Sequence, residues 1–127
     1  MHPVRTVRVG DLIPSSLLGR RRARRLDATA LMLPGARPID GYLARLEARR
    51  EELAAWDGHV VVVDGDGEPA HRLVVVDRYG QVYAVHDAQD AGELPNADAL
   101  EEWFRFLSTA CPECGVLDEA LLAGPTP

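Results

Sequence analysis

The amino-acid sequence predicts an α/β domain in which a central mixed sheet is flanked by helices, and three observations predict it. First, the stretch Ala28–Trp56 runs from an apolar segment (ATALML) through a Pro/Gly-broken loop, residues 34–38. It then enters a segment of helical periodicity, about Ile39 to Ala55. Second, His59–Asp64 holds four consecutive valines between polar ends, the pattern of a strand covered on both faces in a parallel sheet. Third, Arg72–Val76 and Gln81–His86 are β-type runs joined by Asp77-Arg78-Tyr79-Gly80. This is a hairpin turn whose glycine supplies a positive φ.

In chain order, Val4–Val9 (VRTVRV) reads as a short strand, broken by Gly10-Asp11 and Pro14, with a second short strand or turn at Ser15–Leu18. Residues 1–27 therefore read as a β-rich extension carrying an arginine-rich segment. The core of the domain is 28–110. In its long helix Ile39, Tyr42, Leu43, Leu46, Leu53 and Trp56 fall on one side, while Arg45, Glu47, Arg49, Arg50 and Glu51 project elsewhere. Asp57-Gly58 ends that helix, with Gly58 as a left-handed cap. The passage from Leu33 through the helix to Val60 is then a βαβ unit. Gly65–Pro69 is a tight polar connection. Ala97–Ala110 is an amphipathic helix with Asn96 as N-cap, acids in its first turns, and Leu100, Trp103, Phe104 and Leu107 on its apolar side. With 127 residues the chain is one domain, closed by a Cys-Pro-Glu-Cys motif and tail over 111–127.

The 46% hydrophobic and 27% charged content is that of a soluble globular protein. The apolar runs are far too short to span a bilayer, and the start (MHPVRTVRVGD) has no apolar signal core. The expected location is cytoplasmic, with no membrane partner. Charge is lopsided: residues 1–25 balance at +6, leaving −12 in the rest of a chain of net charge −6. The dense part is Arg20, Arg21, Arg22, Arg24 and Arg25. No aromatic or base-reading residues are interleaved with them, and the acidic remainder would repel phosphate. The expectation is a contact with acidic helices, its own or a neighbouring subunit's, and no nucleic acid.

The order of elements, and certain residues within them, resembles a known family. Val9-Gly10-Asp11 with Pro14 and Leu17-Leu18 is similar to the opening of peroxiredoxin-type proteins (alkyl hydroperoxide reductase/thiol-specific antioxidant), members of the thioredoxin-like superfamily. Leu31-Met32-Leu33-Pro34-Gly35-Ala36 resembles their strand entering the active-site loop, and Gly41-Tyr42-Leu43 with Leu46 the helix behind it. Val75-Val76-Asp77-Arg78-Tyr79-Gly80-Gln81-Val82 resembles their hairpin. The resemblance covers most of residues 7–107 and implies a thioredoxin-like fold with an N-terminal β-rich extension, and a homodimer.

Three departures bear on function. Laid on Pro34, the family's loop pattern puts Pro38 where a Thr or Ser belongs and Gly41 where the peroxidatic cysteine belongs. Peroxide cleavage needs a thiolate held at a helix N-terminus, which Gly41 cannot provide and Asp40 does not replace. The family's helix between the valine strand and the hairpin is missing. Its cis-proline position falls on His71, with Pro69 two residues early. Arg37, Asp40 and Gly41 are thus the candidate binding residues of a degenerate loop.

The two cysteines, Cys111 and Cys114, keep three readings open. They form a redox dithiol, although they follow the C-terminal end of a helix, where the dipole opposes a thiolate. Alternatively they are half of a zinc knuckle, completed by a second chain or by His59, His71 or His86. Or they are two inert thiols. Two weaker motifs are better read as solvated turns: Asp64-Gly65-Asp66-Gly67-Glu68, which lacks the acid at the twelfth position of a calcium loop, and His86-Asp87 with Asp90, which has no nucleophile to serve. The leading expectation is a non-catalytic binding or interaction module, with no cofactor and a protein partner. The rivals are a thiol-dependent oxidoreductase working through Cys111 and Cys114, and a zinc-stapled dimer.

Overall fold

Strand β1 (Ala28–Leu33) lies inside a four-stranded sheet and is buried along its whole length. In the computed structural model, which describes residues 3–14 and 27–109, β1 pairs in parallel with β2 (Gly58–Val62) and antiparallel with β3 (His71–Val76). Strand β4 (Val82–Ala88) pairs antiparallel with β3, giving the order β2-β1-β3-β4. Helices α1 (Asp40–Ala48) and α2 (Arg50–Ala54) connect β1 to β2, and α3 (Ala97–Thr109) follows β4. The protein is therefore α/β with an open mixed sheet, and the expected βαβ crossover is present.

Several local signals act as the sequence predicts. Gly80 takes φ 88° in the β3–β4 turn, where Asp77 Oδ1 accepts the N–H groups of Tyr79 and Gln81 at 2.8 and 3.0 Å. Asn96 Oδ1 accepts the Ala99 N–H at 2.9 Å, capping α3. No helix intervenes between β2 and β3.

Strand alternation gives the sheet two separate cores. On one face Ala28, Ala30, Met32, Leu73, Val75 and Ala84 meet all three helices through Tyr42, Leu46, Leu53, Leu100, Phe104 and Leu107. On the other, Leu31, Leu33, Val74, Val76 and Val82 are covered by Val4 and Ile13 with Val7. The three α-helices thus flank the sheet on one side only. Opposite them the N-terminal segment takes the covering role, each fully buried aliphatic side chain contributing about 1.5–3 kcal/mol.

Other expectations are corrected. Val4–Val9 is not a strand. Pro3–Thr6 is a 3-10 helix, closed by Thr6 Oγ1 donating to the Pro3 carbonyl at 3.0 Å. The reason lies in the spacing: Val4 and Val7 are three apart, one face of a 3-10 turn, and both pack on the sheet. Within residues 3–14 the β content is a single bridge, Leu12 to Gln81. The predicted long helix breaks at Arg49 (φ −106°, ψ 14°), where its guanidinium turns to Asp98 and Glu101 of α3. The left-handed residue after α2 is Asp57 (φ 58°), not Gly58. Gly58 begins β2, and a Cβ there would lie 2.2 Å from the Phe104 ring, so contact with α3 is what requires glycine. Finally, β2 is an edge strand covered only in part: Val60 packs toward the helices and Val61 and Val63 on the opposite core, but Val62 is 49% exposed. Ser15–Leu18 and the arginines of 20–25 lie outside the described residues.

Candidate functional site

The loop from β1 to α1 is held by two backbone donors. Ala36 N–H bonds the Pro69 carbonyl at 3.1 Å, and Gly35 N–H donates to His71 Nδ1 at 2.6 Å. The approach is too close for any side chain at residue 35: a Cβ would lie 2.4 Å from Pro69 O and 2.5 Å from Ala70 C. Among the described residues no peptide bond is cis, and His71 makes the side-chain contact between this loop and the start of β3.

His71 is fully buried. Its Nδ1 is an acceptor, which puts the proton of the neutral ring on Nε2, and Nε2 has no hydrogen-bond partner. Burial, chiefly, and then the charge of Arg5 lower its pKa below the ordinary value; Asp90 opposes this and Arg37 adds to it. His71 is therefore a neutral brace at physiological pH. Its basic nitrogen is occupied by a backbone N–H, so it is not available as a general base.

Salt bridges surround this end of the sheet. Arg5 grips Asp66 at 3.0–3.2 Å, both side chains only 8% exposed. Arg72 binds both carboxylate oxygens of Asp87 at 2.8 and 2.9 Å and donates to the carbonyls of Val4 and Val7. Arg37 pairs with Asp90 in solvent. These contacts use Asp66, Asp87 and Asp90 in ion pairs, while His86 stacks on Trp103 with ring centroids 5.2 Å apart. The calcium-like sequence is a polar turn, and His86-Asp87 is not an acid–base couple.

The predicted binding residues lie on the rim of the loop. Arg37, Asp40 and Gly41 are all exposed, and no side chain caps the first turn of α1 at Ile39. The nearest atom to a Cβ built on Gly41 is Arg45 Nη1, at 3.6 Å. Tyr42, one residue on, is buried and donates to the Pro95 carbonyl at 2.8 Å; desolvation pushes its hydroxyl up to about 12, against the opposing charge of Arg45. Cys111 and Cys114 lie outside the described residues. Among the described residues no group of three or more His, Cys, Asp or Glu is arranged to hold a metal, and His59, His71 and His86 each have separate surroundings.

The brace was missed in the sequence, yet a signal existed. Period-2 alternation places His71 on the inward face with Leu73 and Val75, which marks a buried polar residue in need of a partner. Among the described residues no helix is long and apolar enough to cross a membrane. Neither a protein-family profile nor a curated protein sequence matches the chain.

Proposed function

We propose that the protein is a thioredoxin-like domain of peroxiredoxin ancestry that works as a non-catalytic binding module. The β1–α1–α2–β2 crossover, the antiparallel β3–β4 hairpin and the closing helix α3 support this reading, as does the sheet order. The observation that carries it is Gly41. At the first turn of α1, where such a frame keeps its reactive sulfur, there is a glycine that no packing constraint demands. The loop around it is fixed by His71 and by backbone contacts, a rigid and charged contact surface formed by Arg37, Asp90 and Asp40.

The test restores the sulfur. In a Cys111→Ser, Cys114→Ser background, Gly41→Cys places a thiol at a helix N-terminus with Arg45 beside it. Such a thiol has a depressed pKa and reacts with hydrogen peroxide roughly tenfold faster than free cysteine at the same pH. An ordinary rate would remove the peroxiredoxin frame from the reading. Peroxide or disulfide turnover by the unaltered protein, lost in Cys111→Ser, would replace the binding module with an oxidoreductase.

A further inference from the structure

We infer that the open edge of β2, with the groove beside it, receives an extended basic peptide from a partner protein as a fifth strand. This surface meets the Gly35–Gly41 loop only at Asp40, which also lines the groove, and the inference does not rest on the reading of that loop.

The backbone argument comes first. Among the described residues β2 pairs only with β1. Val63 N–H donates to Met32 O at 2.9 Å. In a parallel pair the N–H and C=O of one residue point to the same side and alternate along the strand. Val61 and His59 therefore turn toward β1, while Val60 and Val62 present their N–H and C=O groups to the open side. Such an edge is a template for strand addition, in which main-chain bonds provide affinity and alternate side chains provide selectivity.

The groove supplies the selectivity. It lies between the edge strand and helices α1 and α2, with a volume of about 690 Å³ and a floor of Leu43, Leu46, Leu53, Val60 and Val62. Five carboxylates line it: Asp27, Asp40, Glu47, Glu51 and Asp57. Arg50, the arginine among its lining residues, is paired with Glu47 at 3.2 Å. Asp27 is only 8% exposed, and no hydrogen bond or ion pair holds its carboxylate among the described residues.

The position of these charges defines the ligand. Asp27 and Asp57 stand at the start of β2, since Ala28 pairs with Gly58. Asp40 stands at the far end, where Met32 pairs with Val62. Five residues of strand separate the two ends, roughly 13 Å. Residues i, i+2 and i+4 of an added strand face one side, so the fitting pattern is basic, apolar, basic at alternate positions. A second copy of the same edge would bring carboxylates against carboxylates, which disfavours pairing of two β2 edges.

The test uses the full chain and a fluorescein-labelled peptide containing Arg-Thr-Val-Thr-Arg, with Glu-Thr-Val-Thr-Glu as control, read by anisotropy. The arginine peptide binds, the glutamate peptide does not, and binding weakens as salt is raised. Val62→Pro removes an outward N–H from an edge position where proline is tolerated, so binding is lost while the melting temperature is kept. Asp40→Asn with Glu51→Gln, both exposed and independent of β2 geometry, weakens binding roughly tenfold. Glu102→Gln, an exposed carboxylate on α3 that does not line the groove, leaves binding unchanged, which assigns the weakening to the groove's own charges. Equal binding of the two peptides, or full binding by folded Val62→Pro, overturns the inference. So does tighter binding after the arginines of 20–25 are replaced, which would assign the groove to the chain's own basic segment.

Discussion

Gly35 and Gly41 stand six residues apart on either side of one strand-to-helix turn, and they are glycine for opposite reasons. At Gly35 the backbone of Pro69 and Ala70 fills the space that a Cβ would take. At Gly41 that space is open, with an arginine tip at ordinary contact distance. The first glycine is dictated by the fold; the second is not. A position in the first turn of a helix that has room for a Cβ, yet holds the residue with least chemistry, is what the proposed reading of an emptied site requires. Conversely, the crowding at Gly35 shows that the loop is still built to one geometry.

This contrast can be broken most directly at Gly35. Gly35→Ala pushes a methyl into backbone atoms that cannot rotate away, and it disturbs the donor to His71. The expected loss is about 3 kcal/mol or more in urea unfolding. A loss near zero would mean that the loop is not clamped. Next in size is the brace itself. His71→Leu leaves the Gly35 N–H without its acceptor, at a cost of about 1–3 kcal/mol.

The same residue makes a pH prediction. The folded pKa of His71 lies below the ordinary 6.5, so the folded state favours the neutral ring. Below pH 6.5 the unfolded chain takes up a proton that the folded chain declines, and stability falls as pH drops. Above it the contribution is fully present. Protonation would also set an N–H against the Gly35 N–H. Unfolding midpoints between pH 7.5 and 5 should therefore decline more steeply in the unaltered protein than in His71→Leu; parallel curves would show that His71 does not carry the effect. The smallest change is at Gly41: Gly41→Ala should stabilise by about 0.5–1 kcal/mol, since alanine relieves the entropic cost of glycine in a helix. Destabilisation there would contradict the open space around it.

How far the sequence could be read follows the range of the forces involved. Asp77–Gly80 and Asn96 announce a turn and a cap because the partners are two to four residues away. The crossover from β1 to β2 was legible from the apolar runs and the helical spacing between them. What failed was decided at longer range. The edge position of β2 depends on which strands flank β1, and four valines in a row look the same at an edge as in a centre. Gly58 looked like a cap because Asp57-Gly58 suits one; only the ring of Phe104, 46 positions later, reveals its other purpose. Within the site, Arg37, Asp40 and Gly41 could be named from the loop pattern, whereas His71 and the Arg5–Asp66 pair needed tertiary contacts.

The lid of valine and isoleucine on the face opposite the α-helices has a consequence for the order in which the protein assembles. Val4 and Ile13 are synthesised before the strands they rest on, since their platform includes Val74, Val76 and Val82. Until the hairpin has emerged and docked on β1, those side chains have nowhere to rest. Residues 3–14 thus find their seat only after the hairpin, and their apolar side chains must stay in water while they wait.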